Sequence, residues 1–157
     1  RHTLYQSMFS GACGYTYGCN DIWQMFDTGR ESKCDADTPW HQAMDKQGAW
    51  DLIHFRRLWE KFDFIQGKNQ QTIFGNIPLE NKNYPIAFGN KDYLLVYFPQ
   101  GGERTIYLPS MKASKRSLKW MNPRNGRITF HQNTTADTIP VSSPTKGKGN
   151  DWVLIIE

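Results

Sequence analysis

The sequence predicts an α+β fold in two unequal parts. Residues 1–64 read as the tail of a larger α/β structure, and residues 65–157 read as an antiparallel β-sandwich. Three observations lead there. Apolar residues recur at helical spacing up to Phe64 and in short, strand-like runs after Ile65. Turn signals punctuate the second part throughout, as an all-β domain requires. The charge balance changes at the same place: residues 1–64 carry seven Lys/Arg against nine Asp/Glu, and residues 65–157 carry twelve against six.

In the first part, Leu4–Met8 and Tyr5–Phe9 stand four residues apart, which predicts the last turns of an amphipathic helix over 2–10, stopped at Gly11. Ala12–Gly18 is small and β-favouring, and predicts a short buried strand. A helix that leads directly into such a strand is the α-to-β step of a parallel α/β sheet. Asn20–Asp37 predicts a long loop, and loops of that length inside compact domains are often functional. Thr38-Pro39-Trp40 predicts a helix start, with Thr38 as cap and Pro39 first in the helix. A short helix follows through Met44. A longer one runs from Gln47 to Lys61, with Ala49, Leu52, Phe55, Leu58, Trp59 and Phe62 on one apolar face, and Asp45, Asp51, Arg57, Glu60 and Lys61 off it or at its margin. That face must pack on something larger than itself.

In the second part, strands are predicted at Ile86–Phe88, Tyr93–Phe98, Arg104–Leu108, Leu118–Met121, Ile128–His131, Ile139–Ser142 and Asp151–Glu157. Arg104–Leu108 is expected to pair back across the Gln100–Glu103 turn. Asn122-Pro123-Arg124-Asn125-Gly126 predicts a hairpin. In the last strand Trp152, Leu154 and Ile156 share one face, and Val153 and Ile155 the other.

Composition narrows the function. The chain has 157 residues and 14% aromatics, a level that suits both a packed β-core and sugar stacking. A net charge of +6 on the second part suits a polyanion, although its basic residues are scattered. The exceptions are Lys112, Lys115, Arg116 and Lys119, expected together in one loop, and Lys146 and Lys148 near the end. Three cysteines, Cys13, Cys19 and Cys34, give no disulfide framework. Neither cysteines nor the four histidines fall at metal-ligand spacing, so no metal and no cofactor is expected. No apolar run reaches the roughly 20 residues of a membrane helix, and neither membrane nor nucleic acid is expected as a partner. The chain opens on Arg1, with no signal peptide in view, and reads as lacking its true start.

The block Ser10-Gly11-Ala12-Cys13-Gly14-Tyr15-Thr16-Tyr17-Gly18, then Asn20, Ile22-Trp23-Gln24, Pro39-Trp40 and Gly48-Ala49, resembles the apiosidase-like glycoside hydrolases. Trp120-Met121-Asn122-Pro123-Arg124-Asn125-Gly126 and Asp151-Trp152-Val153-Leu154 resemble the C-terminal β-domain of that family, labelled collagen-binding in some members. The resemblance implies that residues 1–64 are the last β/α unit of a (β/α)8 barrel and that residues 65–157 are a sandwich packed on it. It implies secretion or a periplasmic location, and a plant or microbial polysaccharide or oligosaccharide as substrate. The family usually has His at the position of Tyr15 and often at that of Cys19, so the sugar cleaved is left open.

Glycoside hydrolysis uses two carboxyl groups flanking the bond. The resemblance puts both upstream of Arg1, so no catalytic residue is expected in this chain. Asp21, Asp27, Glu31, Asp35 and Asp37 read as a polar, solvated loop. What the chain can supply is the wall of a sugar site: Tyr15 and Tyr17 on one side of the short strand, Asn20 as a hydrogen-bonding group, and Trp23 as a stacking platform. For the β-domain three readings stand. It is a structural appendage held through Trp59, Phe62 and Phe64, a carbohydrate-binding module using exposed Tyr84, Tyr97, Tyr107 or Trp120, or a module that binds a matrix protein.

Overall fold

The computed structural model describes residues 1–75, 83–108 and 111–157, and shows a mixture of helix and antiparallel sheet. Four helices come first: α1 (His2–Phe9), α2 (Asn20–Trp23), α3 (Trp40–Ala43) and α4 (Gln47–Lys61). The strands follow: β1 (Lys68–Asn69), β2 (Ile86–Gly89), β3 (Leu94–Phe98), β4 (Gly101–Tyr107), β5 (Arg116–Met121), β6 (Ile128–Thr134), β7 (Thr138–Lys146) and β8 (Trp152–Ile156). A 3₁₀ turn, Gln71–Phe74, lies between β1 and β2.

Six strands form one antiparallel sheet in the order β1-β2-β3-β8-β5-β6, and β4 and β7 pair separately. Strand β3 sits at the centre because each of its five residues is apolar and both faces are covered. Leu95 and Tyr97 point to one core, with Val153 and Ile155 of β8, and meet Leu4, Tyr5, Met8 and Phe9 of α1 and Phe55 and Leu58 of α4. Leu94, Val96 and Phe98 point to the other, with Leu154 and Ile156, and meet Ile106 of β4 and Ile139 and Val141 of β7. The sheet is therefore covered by helices on one face and by a two-stranded ribbon on the other. The alternation read from the last strand holds residue for residue.

The β3–β4 connection differs from the expected hairpin. Both edges of β3 are taken, by β2 and β8. Gly101 and Gly102, at φ +61° and +101°, turn the chain into the second layer, where β4 pairs with β7. The expected basic loop is also split. Arg116 and Lys119 lie on β5, and Arg116 is buried, bonded to the Ala136 carbonyl and to Asp137. The predicted aromatic platforms divide: Tyr97 and Trp120 are core residues, Tyr84 is half-buried against the helical core, and Tyr107 alone of the four is exposed.

Helix α4 has the predicted bounds. Phe55 and Leu58 are buried, and Leu52, Trp59 and Phe62 are partly buried against the same core. Asp51, expected off the apolar stripe or at its margin, is buried at 4% exposure. It accepts hydrogen bonds from Arg1 Nη1 at 2.9 Å and Gln47 Nε2 at 3.0 Å. Helix α3 starts one residue later than read, with Pro39 at the N-cap position. The Thr38 hydroxyl donates to Asp37 instead of capping.

Candidate functional site

The candidate site residues lie between α1 and α4. Ala12–Gly18, expected as a buried strand, joins no ladder among the described residues, and most of it is exposed. A buried strand needs neighbours along both edges, and here no strand among the described residues pairs with it. Tyr15 and Tyr17 do share a side, and that side faces α4. Tyr15 lines an apolar groove of about 390 Å³ with Leu4, Met8, Leu52, Ile53 and Trp59. Tyr17 lies on Gly48 in the first turn of α4, where an added Cβ would stand 2.7 Å from its ring and hydroxyl. Glycine at 48 is what lets the ring approach the helix.

The segment from Cys19 to Lys46 is built around Asp21. Its Oδ1 accepts the backbone N–H groups of Asp37 at 2.9 Å and Thr38 at 3.0 Å. Its Oδ2 accepts Lys46 Nζ at 2.6 Å and the Cys19 thiol at 3.2 Å. The side chain is 4% exposed as a residue, which corrects the reading of the acidic group as wholly solvated. The bond from Lys46, then those from Thr38 and Asp37, hold its carboxyl well below the usual carboxylate range. Asp37 is also depressed, first by the Thr38 hydroxyl and then by Lys46. A glycosidase acid needs its pKa raised, not lowered, so this pair is unsuited to donating a proton.

Asp21 fixes the start of α2, and α2 carries the other two candidates. Asn20 Nδ2 donates to the Cys34 carbonyl at 2.8 Å. Cys34 and Asp35 there have φ of +51° and +58°, a conformation non-glycine residues seldom hold without support. Trp23 closes α2 and is 81% exposed. Gln24 ties α2 to the far arm of the loop, donating to the Lys33 carbonyl and accepting its N–H. The result is an ordered loop that presents one indole to solvent. Sequence reasoning named Asn20 and Trp23 and missed the role of Asp21. The signal available for it was a lone acid in the first turn of a short helix, with a lysine immediately ahead of α4.

A second buried charge group joins the helices to the sheet. Asp151, just before β8, accepts Arg1 Nε and Nη2 at 3.0 and 3.2 Å and the Tyr97 hydroxyl at 3.2 Å. Among the described residues no group of three His, Cys, Asp or Glu side chains is placed to hold a metal ion. The three cysteines are free thiols.

Comparison with known proteins gives two family matches. Residues 1–66 match the model described as "Apiosidase-like, catalytic domain". Residues 69–157 match the one described as "Putative collagen-binding domain of a collagenase". Among solved structures, the chain is similar to one titled "Glycoside hydrolase", at 25% identity and a TM-score of 0.90 over 97% of this chain and 34% of that one. It is similar also to a glycoside hydrolase family 5 protein from Bacteroides vulgatus, at 26% identity, a TM-score of 0.90 and the same coverage. The chain thus spans about a third of the length of these structures. No curated protein matches it.

Proposed function

We propose, from the premise that the chain belongs to the family in which an apiosidase-like glycoside hydrolase domain is joined to a C-terminal domain of the collagen-binding type, that it is the closing part of an enzyme that cleaves glycosidic bonds in a plant or microbial polysaccharide. Residues 1–64 form the last β/α unit of a (β/α)8 barrel. Residues 65–157 form the sandwich that packs on that barrel. The acid and its partner carboxylate lie on the part of the enzyme outside this chain, which is exported from the cell or to the periplasm.

The observation that carries this reading is the unpaired segment before α2. Ala12–Gly18 lies against α4 through Tyr15 and Tyr17 and joins no ladder among the described residues. A parallel barrel offers such a segment two neighbours and a helix. Tyr15 then seats strand against helix, and Tyr17, at the strand's end, borders the mouth. Asn20 and Trp23, on the loop that follows, contact the sugar.

The test is an assay of this chain beside the longer protein that carries it, on aryl glycosides and a polysaccharide panel. The longer protein is expected to hydrolyse and the chain alone to be silent. Equal turnover by the chain alone would overturn the reading.

A second reading, a non-catalytic module for glycans or a matrix protein, draws on Ile128 and Phe130, exposed on edge strand β6. It requires that the longer protein bind such a ligand without cleaving any glycan on the panel.

A further inference from the structure

The end of α4, the start of β1 and the β2–β3 turn enclose an open groove of about 600 Å³, within the roughly 300–1,000 Å³ usual for ligand sites. It lies at the opposite end of α4 from Gly48 and Tyr17. Its apolar wall is Phe62 and Tyr93, with ring centroids 4.7 Å apart. Its polar groups divide into those already engaged and those left free. Asp92 is paired with Lys112 at 2.6 Å. Glu157 is paired with Lys61 at 3.2 Å and with Lys119. Burial, which alone raises the Glu157 carboxyl, is outweighed by hydrogen bonds from Lys119 and Lys61, so its pKa falls and it stays charged and matched. Asp63 Oδ1 accepts the Gln66 N–H at 3.4 Å.

Asp63 keeps a carboxylate with no cation partner among the described residues, and two free cations and an amide donor stand against it. Lys68 and Lys91 line the groove, are exposed, and form no ion pair among the described residues. Lys68 is the ladder partner of Gly89, two residues before Lys91, so the two ammonium groups start from neighbouring positions. Asn90 spends its Oδ1 on the N–H groups of Asp92 and Tyr93, which leaves its amide hydrogens for a ligand. Two cations and an amide donor beside an apolar wall suit a ligand with an anionic oxygen pair and a C–H face. The +6 charge of residues 65–157 adds a long-range pull on such a ligand.

We infer that this groove binds an acidic glycan, with the carboxylate of a uronate held between Lys68 and Lys91 and the sugar face laid toward Phe62. This goes beyond the hydrolase reading and does not depend on it. A longer protein that cleaves nothing yet is retained as described below would sink that reading and leave this one standing.

The test is affinity electrophoresis and calorimetry of the 157-residue chain at 0.15 M salt with polygalacturonate, dextran sulfate and a neutral glucan. Polygalacturonate is expected to bind and the neutral glucan not to. Lys68→Gln with Lys91→Gln is expected to weaken binding at least tenfold. Lys146→Gln with Lys148→Gln removes the same charge elsewhere and is expected to change it less than twofold. Both lysine pairs are exposed, so neither variant threatens the fold. Equal losses in the two variants would reduce the effect to net charge and overturn the groove assignment. Binding to dextran sulfate alone, or to nothing, would overturn the uronate assignment.

Discussion

Arg1 and Asp151 stand 150 positions apart in sequence and meet through two hydrogen bonds, Nε to Oδ2 at 3.0 Å and Nη2 to Oδ1 at 3.2 Å. The third guanidinium nitrogen, Nη1, reaches Asp51 of α4 at 2.9 Å. One side chain thus ties the head of α1, the N-terminal half of α4 and the entry to β8. Arg124 adds a longer contact to Asp151 at 3.5 Å. Paired, planar contacts of this kind are the strong form of ion pair. They also satisfy both carboxylates, which are 4% and 3% exposed.

Asp151→Ala removes the acceptor and leaves Arg1 and the Tyr97 hydroxyl without it. Breaking a buried pair from one side costs about 3–5 kcal/mol. Arg1 keeps Asp51 and some access to solvent, so the expected loss is about 2–3 kcal/mol. The urea midpoint at neutral pH measures it. A loss below about 0.5 kcal/mol would mean that the Arg1–Asp151 pair adds little to what holds the helices on the sheet.

Tyr5 and Tyr97 stack with centroids 4.7 Å apart and planes within 12°. Their hydroxyls differ. That of Tyr97 donates to Asp151, and that of Tyr5 is buried with no hydrogen-bond partner among the described residues. Burial raises the pKa of both phenols, and Asp151 adds to it. Tyr5→Phe is therefore expected to be neutral or stabilising, because it removes an unsatisfied polar group. Tyr97→Phe is expected to cost about 1–1.5 kcal/mol. Equal costs in thermal melts of the two variants would contradict the asymmetry.

The Asp21–Lys46 pair sets a pH window for the 19–46 loop. The folded pKa of Asp21 lies below its ordinary 3.8, and that of Asp37 is lowered too. Their contribution is complete above that ordinary value and is lost as pH falls through the depressed ones. The bond from Asp21 raises Lys46 above its ordinary 10.5. Its contribution is complete below 10.5 and is lost as pH rises through the raised value. Loop order is thus expected to be flat from about pH 4 to about pH 10. Amide exchange at Asp37 and Thr38, corrected for intrinsic rates, reads it directly. Opening between pH 7 and 5 would contradict the pairing.

What the sequence made legible follows from periodicity. Helix α4 was readable because its apolar face repeats over fifteen residues. Strands β3 and β8 were readable because they are uninterrupted apolar runs, as strands covered on both faces are. Partner choice was not legible: nothing local in Arg104–Leu108 says that β3 has no free edge for it. Asp21 and Asp51 were misjudged for a related reason. Burial of an acid depends on a cation brought from elsewhere, Lys46 in one case and Arg1 in the other. Trp23 was legible as a residue type, while its exposure comes from a loop held by Asp21 and Gln24.

That exposure bears on the hydrolase reading. An indole open to solvent over 81% of its surface contributes little to the fold, so Trp23→Ala is expected to leave the melting temperature within about 1 °C. On the hydrolase hypothesis, the ring stacks on a sugar in the ground state and the transition state alike. Loss of such uniform binding raises KM and spares kcat. Aromatic stacking contributes about 0.5–1.5 kcal/mol, so KM of the longer protein is expected to rise roughly two- to twelvefold. Trp23→Phe keeps a flat face and is expected to recover most of it. An unchanged KM with polymeric substrate would remove Trp23 from the sugar site, and a fall in kcat alone would move it closer to the reacting bond than a stacking platform.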